Sequence, residues 1–238
     1  MKRNWILRRN NSLRRTLECE RFKLAYFPVP KTASTSMKRA FYKLEYGEDY
    51  AKHPQYGKKA GIHSNFFGAR GFYNLDHERY RSYTRIAVIR EPARRIISAY
   101  NHRVVQLKEL GPERIDLNLA KALGVEPDPT RKQFLCNLEK YRILSKSIRH
   151  HTDPFTRFLG HDLDYFTDVV RIGKLDDLAT QISGLTGQEF DIAHFHRNAR
   201  SEEHLGMGRK ASKSLLNYCA GDYALMKRYF SIPPALLK

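Results

Sequence analysis

Two short apolar runs, Leu24-Ala25-Tyr26-Phe27 and Ile86-Ala87-Val88-Ile89, each give way within a few residues to a stretch of helical spacing. A short unbroken apolar run bounded by turn residues is the signature of a strand buried on both faces. The pattern predicts a strand at 23–28, a helix at 34–46, a polar and aromatic connection at 47–80, a strand at 85–90 and a helix at 93–108. A strand-helix order that repeats in this way argues for a parallel sheet covered by helices. Gly111, Pro112, Gly124, Pro127 and Pro129 punctuate 110–130, which reads as a surface insertion with a short helix at Leu117–Leu123. Residues 131–150 have helical spacing through Phe134, Leu138, Tyr141 and Leu144, and Asp153-Pro154 opens another helical turn before Gly160. A late strand at Asp168–Ile172, a helix at 174–184 and a closing helix at 211–230 complete the pattern, with a polar loop over Ala193–Lys210.

The expected architecture is α/β, a three-layer sandwich with a central parallel sheet, formed by one domain over 22–238 behind a basic leader at 1–21. An apolar content of 41% is enough for a sizeable core. The 43 Lys and Arg against 25 Asp and Glu leave a formal charge of +18, which attracts polyanions: nucleotides, acidic saccharides, nucleic acid or anionic membrane. The leader carries Lys2, Arg3, Arg8, Arg9, Arg14 and Arg15 without the apolar core of a signal peptide, and no stretch reaches the roughly 18 apolar residues of a membrane span. Cys19, Cys136 and Cys219 are odd in number and widely spaced, which predicts free thiols and a reducing compartment. A soluble, cytoplasmic protein is expected.

The first strand ends in Pro28-Val29-Pro30-Lys31-Thr32-Ala33-Ser34-Thr35-Ser36, a lysine and a hydroxyl cluster where a helix begins. Free amides of a helix's first turn and its dipole favour an anion there, and Lys31 adds a full positive charge. The glycine-rich GxxxxGK[ST] loop of ATP and GTP sites is absent. The second strand ends in Arg90, and Glu91-Pro92 opens its helix, with Arg94 one turn and Ser98 two turns along. This reads as a second strand-to-helix anion cradle, in which Arg90 and Ser98 could grip one phosphate. Arg94 and Arg95 read as flanking surface charges and Tyr100 as core.

Pro30-Lys31-Thr32-Ala33-Ser34-Thr35-Ser36 followed by Val88-Ile89-Arg90-Glu91-Pro92-Ala93-Arg94-Arg95-Ile96-Ile97-Ser98-Ala99-Tyr100 resembles the sulfotransferases that use 3′-phosphoadenosine 5′-phosphosulfate (PAPS), most closely their carbohydrate, Golgi-type, family 2-like branch. Asp168–Leu178 resembles that family's late strand and helix, and Asn217–Tyr223 its C-terminal helix. The resemblance implies the P-loop-NTPase-like sulfotransferase fold. It implies that Lys31, Thr32, Ala33, Ser34, Thr35 and Ser36 hold the 5′-phosphosulfate and that Arg90 and Ser98 hold the 3′-phosphate. Arg197 and Arg200 lie where the family brings a late loop over the nucleotide or acceptor. Between the two motifs the family places a catalytic histidine or glutamate. Of His53, His63, Asp76, His77 and Glu78 in that interval, His63 is the expected general base, with His77 and Glu78 behind it. Most animal members of this branch carry a membrane anchor, which makes a bacterial-type member the expectation here.

The implied reaction is transfer of a sulfonate group from PAPS to a saccharide or glycoconjugate hydroxyl, leaving adenosine 3′,5′-bisphosphate, without a metal. Lys31 would neutralise charge building on the oxygen between sulfur and phosphorus. Lys52, Lys58, Lys59, Arg70, Arg79 and Arg81 would suit an anionic sugar polymer as acceptor. Two other readings stand beside it: a small-molecule kinase with an atypical phosphate loop, and a basic polyanion or nucleic-acid binder. Neither a magnesium carboxylate after the second strand nor a nucleic-acid fold signature is present. His194, His196 and His204 have no Cys or carboxylate partners at zinc spacing, so no metal site is expected.

Overall fold

A computed structural model describes residues 16–52, 62, 70–192, 205 and 207–237. In chain order its elements are β1 (Leu17–Cys19), β2 (Leu24–Phe27), α1 (Ser34–Tyr46), β3 (Thr84–Ile89), α2 (Pro92–Ala99), α3 (Leu117–Leu123), α4 (Arg131–Cys136), α5 (Leu138–Leu144), α6 (Lys146–Thr152), α7 (Phe155–Leu159), β4 (Asp168–Arg171), α8 (Leu175–Thr186) and α9 (Arg209–Leu225). The chain forms two compact units, made from the described residues of Met1–Val29, Ala33–Val88 and Asp164–Phe195, and of Pro30–Thr32, Ile89–Leu163 and His196–Lys238.

The first unit holds a four-stranded sheet in the order β1-β2-β3-β4. β2 and β3 are parallel, with Leu24 opposite Thr84 and Phe27 opposite Ala87. All of β2 is buried, as its unbroken apolar run requires. β1 runs antiparallel to β2, with Leu17 opposite Tyr26. The basic leader predicted at 1–21 therefore ends in an edge strand. Leu17 and Cys19 face the core while Glu18 between them pairs with Arg79, at 2.8 Å.

Met37, Ala40, Phe41 and Leu44 recur at helical spacing along α1 and pack with Leu24, Tyr26, Ile86 and Val88 of the sheet and Leu175, Leu178 and Ile182 of α8. Gly47 ends α1 in the left-handed conformation, its amide returning to the Lys43 carbonyl.

The second unit is helical. Ala93, Ile96 and Ile97 of α2 meet Phe134 and Leu135 of α4, Tyr141 of α5, Ile148 of α6 and Leu215 and Cys219 of α9. The helical spacing predicted over 131–150 is present but broken into α4, α5 and α6 at Asn137 and Ser145. Short polar side chains of this kind compete for nearby backbone groups, and Ser145 caps α6 by accepting from the Ile148 amide at 3.2 Å. The helix predicted at 93–108 is α-helical only to Ala99 and continues as a π-helix over Tyr100–Gln106.

Arg95, read from the sequence as a surface charge, is 0% exposed. Its guanidinium donates to the Asp153 carbonyl at 2.7 Å, lies 3.5 Å from the Asp222 carboxylate and sits 4.4 Å over the Phe155 ring. Asp222 in turn accepts from the Phe155 amide at 2.8 Å, so one buried ion pair ties α2, α7 and α9 together. Tyr100 is in the core as expected, and the three cysteines are free thiols, two of them buried.

Candidate functional site

β2 ends at Phe27 and α1 starts at Ser34. In the loop between, Lys31 has φ 70° and Ala33 φ 62°, a left-handed conformation that costs an L-residue roughly 1–2 kcal/mol. Turns of this kind line up backbone amides into anion-binding concavities. Ala33 is also the N-cap of α1, where its side chain supplies no hydrogen bond to the first turn. The amides of Ser34, Thr35 and Ser36 fall in the first turn of α1, at the positive end of its dipole. Thr32 is fully buried and Ser36 nearly so, while Lys31, Ser34 and Thr35 are half-buried.

Ala33→Gly removes the left-handed penalty and is expected to keep stability within about 1 kcal/mol of the wild type. Ala33→Val adds a β-branch at the same φ and is expected to cost about 2 kcal/mol or more. Thermal unfolding of the two variants decides whether the loop shape is intrinsic to this position.

Arg90 follows the last residue of β3. One of its Nη atoms donates to the Lys31 carbonyl at 3.1 Å and to Ser98 Oγ at 3.2 Å. Lys31, Thr32, Arg90 and Ser98 thus lie together in the second unit. The guanidinium fixes the backbone of the lysine loop and, through Ser98, the second turn of α2.

The start of α2 differs from the predicted cradle. Glu91 is its N-cap, and its carboxylate accepts from the Ala93 amide at 3.1 Å and the Arg94 amide at 2.8 Å. Tyr223 of α9 donates to the same carboxylate, and burial, with that bond adding to it, raises the tyrosine pKa. The positive pole of α2 is therefore occupied by the protein's own anion, and any second anion must be held by the Arg90 and Ser98 side chains. An acidic residue directly before Pro92 was the signal for this cap.

His63, His53 and Arg197 lie outside the described residues. Of the other expected bases, His77 donates from Nε2 to the Phe72 carbonyl at 2.8 Å and packs on the Phe72 and Tyr165 rings. That makes it an anchor of its own turn. Glu78 is exposed and paired with Arg81 at 2.7 Å, and Asp76 is exposed and accepts from the Arg79 amide at 3.5 Å. Among the described residues no group of three or more His, Cys, Asp or Glu could hold a metal ion. Among them, too, no helix is long and apolar enough to cross a membrane.

Two titratable groups escaped the sequence reading. Lys38, one turn along α1 from Ser34, is 2% exposed, and burial lowers its pKa from 10.5 to about 8. Between those values the unfolded chain binds the proton that the native chain has lost, so stability rises through this group as pH goes from about 8 to about 10.5. Below pH 8 the full cost of burying the charge is present. Lys38→Met is expected to stabilise the protein at pH 7 and to flatten that rise, which urea unfolding at pH 7 and pH 10 measures. The second group is His151 of α6, which stays neutral to about pH 3 because burial and the Arg103 guanidinium oppose its charge; Lys31 adds to the same push.

A family model described as the sulfotransferase family matches residues 14–228, a span that holds the lysine loop, Arg90, Ser98 and both late elements. The chain belongs to the sulfotransferase family. Within it the chain is family 2-like, in agreement with the resemblance of its two motifs. No curated protein and no solved structure matches it. Membership of the sulfotransferase family carries sulfonate transfer as the general chemistry. The four-stranded, mostly parallel sheet flanked by helices is consistent with the fold of that family.

Proposed function

We propose that the chain transfers a sulfonate group from PAPS to a hydroxyl of a carbohydrate or glycoconjugate by in-line displacement, releasing adenosine 3′,5′-bisphosphate. The observation that carries this reading is the Arg90 tie: one guanidinium reaches both the carbonyl of Lys31 and the hydroxyl of Ser98. A donor with a phosphosulfate at one end and a 3′-phosphate at the other needs its two anion contacts at a fixed distance, and a shared arginine sets that distance. The residues fit such a donor chemically. Left-handed Lys31 and Ala33 shape the loop, and a cation and a hydroxyl stand together at Arg90 and Ser98.

In this reading Lys31 binds the phosphosulfate and offsets the negative charge that grows on the departing phosphate, while Thr32, Ala33, Ser34, Thr35 and Ser36 orient it through amides and hydroxyls. Arg90 and Ser98 hold the 3′-phosphate by charge-assisted bonds. In the same reading His63 takes the proton of the acceptor hydroxyl and Arg197 binds the nucleotide or acceptor; both lie outside the described residues. The fold reading that goes with it is a three-layer, P-loop-NTPase-like sandwich. The basic composition supports an anionic saccharide as acceptor, and the free cysteines support a cytoplasmic enzyme.

Turnover of PAPS with a saccharide panel, in excess chelator and again with added Mg²⁺, tests this reading. Sulfate-ester formation that is unchanged by the chelator supports it. Transfer of phosphate from ATP that needs Mg²⁺, with no turnover of PAPS, would replace it with a kinase.

A further inference from the structure

An arginine that is to hold a phosphate has to be kept from any carboxylate beside it, and the residue after Arg90 is Glu91. Glu91, Arg94 and Ser98 follow one another at the three- and four-residue steps that set side chains on one face of a helix. Arg90 reaches that face, since its Nη atom donates to Ser98 Oγ at 3.2 Å. A carboxylate loose there would offer the guanidinium the same two-oxygen partner that a phosphate offers.

The Glu91 carboxylate is held elsewhere. Oε1 accepts from the Ala93 amide at 3.1 Å and from the Tyr223 hydroxyl, and Oε2 accepts from the Arg94 amide at 2.8 Å. The Glu91 carbonyl accepts from the Arg95 amide at 3.0 Å, so main chain and side chain are both tied to the first turn of α2. Glutamate is not among the preferred N-cap residues, and its extra torsion gives it more freedom than aspartate. The third bond removes that freedom. It comes from α9, where Tyr223 is 7% exposed and belongs to the same core as Ala93, Ile96 and Ile97 of α2. An ionised carboxylate can only accept, so the phenol donates, and burial with the Glu91 bond keeps it protonated well above the ordinary tyrosine range. Glu91, Tyr223, Arg90 and Ser98 all lie in the second unit.

We propose that Tyr223 is a positioning residue for the Arg90–Ser98 grip: its hydroxyl keeps the Glu91 carboxylate on the cap of α2, so that the carboxylate does not compete with the 3′-phosphate for the Arg90 guanidinium. This rests on the donor reading above. The device acts on charge as well as on shape. A carboxylate turned onto Arg90 would satisfy its donors and repel the incoming phosphate, whereas on the cap its charge is taken up by two amides and a phenol.

The experiment is calorimetric titration of the full chain with adenosine 3′,5′-bisphosphate and 5′-AMP, beside kcat and KM for PAPS, in wild type, Tyr223→Phe, Glu91→Gln and the double variant Tyr223→Phe/Glu91→Gln. Tyr223→Phe keeps the ring in the core and deletes only the hydroxyl. It should weaken the bisphosphate about 5- to 30-fold and raise KM for PAPS to a similar degree, with 5′-AMP binding and kcat each changed less than about threefold. Glu91→Gln in that background removes the competing charge and should bring bisphosphate affinity back to within about threefold of wild type. A purely structural role for the hydroxyl predicts the reverse, since the second substitution weakens the cap further. Unchanged bisphosphate binding in Tyr223→Phe, equal loss of both nucleotides, or no recovery in the double variant overturns the inference and leaves the donor reading intact. Should Tyr223→Phe fail to fold, Glu91→Gln alone decides: bisphosphate affinity within about threefold of wild type supports the inference, and a loss confined to the bisphosphate overturns it, because the carboxylate would then be aiding the grip. Wild-type protein that does not distinguish adenosine 3′,5′-bisphosphate from 5′-AMP overturns the donor reading and this inference with it.

Discussion

Arg90→Ala is expected to weaken binding of adenosine 3′,5′-bisphosphate by about 30- to 1000-fold and to leave 5′-AMP nearly unaffected. A half-buried guanidinium that meets a phosphate supplies charge-assisted bonds, and deleting one partner of such a pair costs about 2–4 kcal/mol because the other charge is left desolvated. The selectivity is the informative part. Arg90 also bonds the Lys31 carbonyl, so some loosening of the loop should reach 5′-AMP, but the phosphate-specific loss should dominate. Ser98→Ala removes one neutral donor and is expected to cost about 0.5–1.5 kcal/mol. Arg90→Lys keeps the charge and loses the fork that spans Lys31 and Ser98, so it should fall between the two. Isothermal titration of the four proteins with both nucleotides gives the ordering.

Lys31→Ala is expected to lower kcat by about 100- to 1000-fold, with a far smaller effect on KM for PAPS. Charge that appears only in the transition state is stabilised by a group that contributes little to ground-state binding, and removal of one preorganised donor of this type costs about that much. Backbone shape complicates the test, because Lys31 sits at φ 70°. Lys31→Gly adopts that conformation freely, so it deletes the ammonium without straining the loop. Equal losses in Lys31→Ala and Lys31→Gly assign the effect to the charge. A Lys31→Gly variant with near-normal kcat would remove Lys31 from the chemistry and leave it a structural loop residue.

Much of the framework was legible in the sequence because it rests on local pattern. The apolar runs at 24–27 and 86–89 and the helical recurrence of Met37, Ala40, Phe41 and Leu44 define β2, β3 and α1 to within a residue or so, and Gly47 marks the end of α1. The lysine loop and the Arg90–Ser98 pair were legible for the same reason: each depends on residues near a strand end. What the sequence concealed depends on distant partners. Arg95 reads as a surface charge until Asp222, Asp153 and Phe155 are brought around it by α7 and α9. The edge strand β1 is only three residues long and follows a basic leader that masks it. The change from α to π geometry at Tyr100 leaves the apolar spacing almost unaltered, so nothing in the pattern distinguishes it, and the Arg103–His151 contact follows from it. Glu91 shows a different failure. The acidic residue was in view, but its carboxylate caps α2 and is fastened there by Tyr223 from the far end of the chain.

The most direct measurement is calorimetric titration of the purified protein with adenosine 3′,5′-bisphosphate, 5′-AMP and ATP. A donor site built from Lys31, Arg90 and Ser98 predicts tight binding that needs the 3′-phosphate and is lost in Arg90→Ala. Equal affinity for all three nucleotides, or binding indifferent to Arg90, would contradict it.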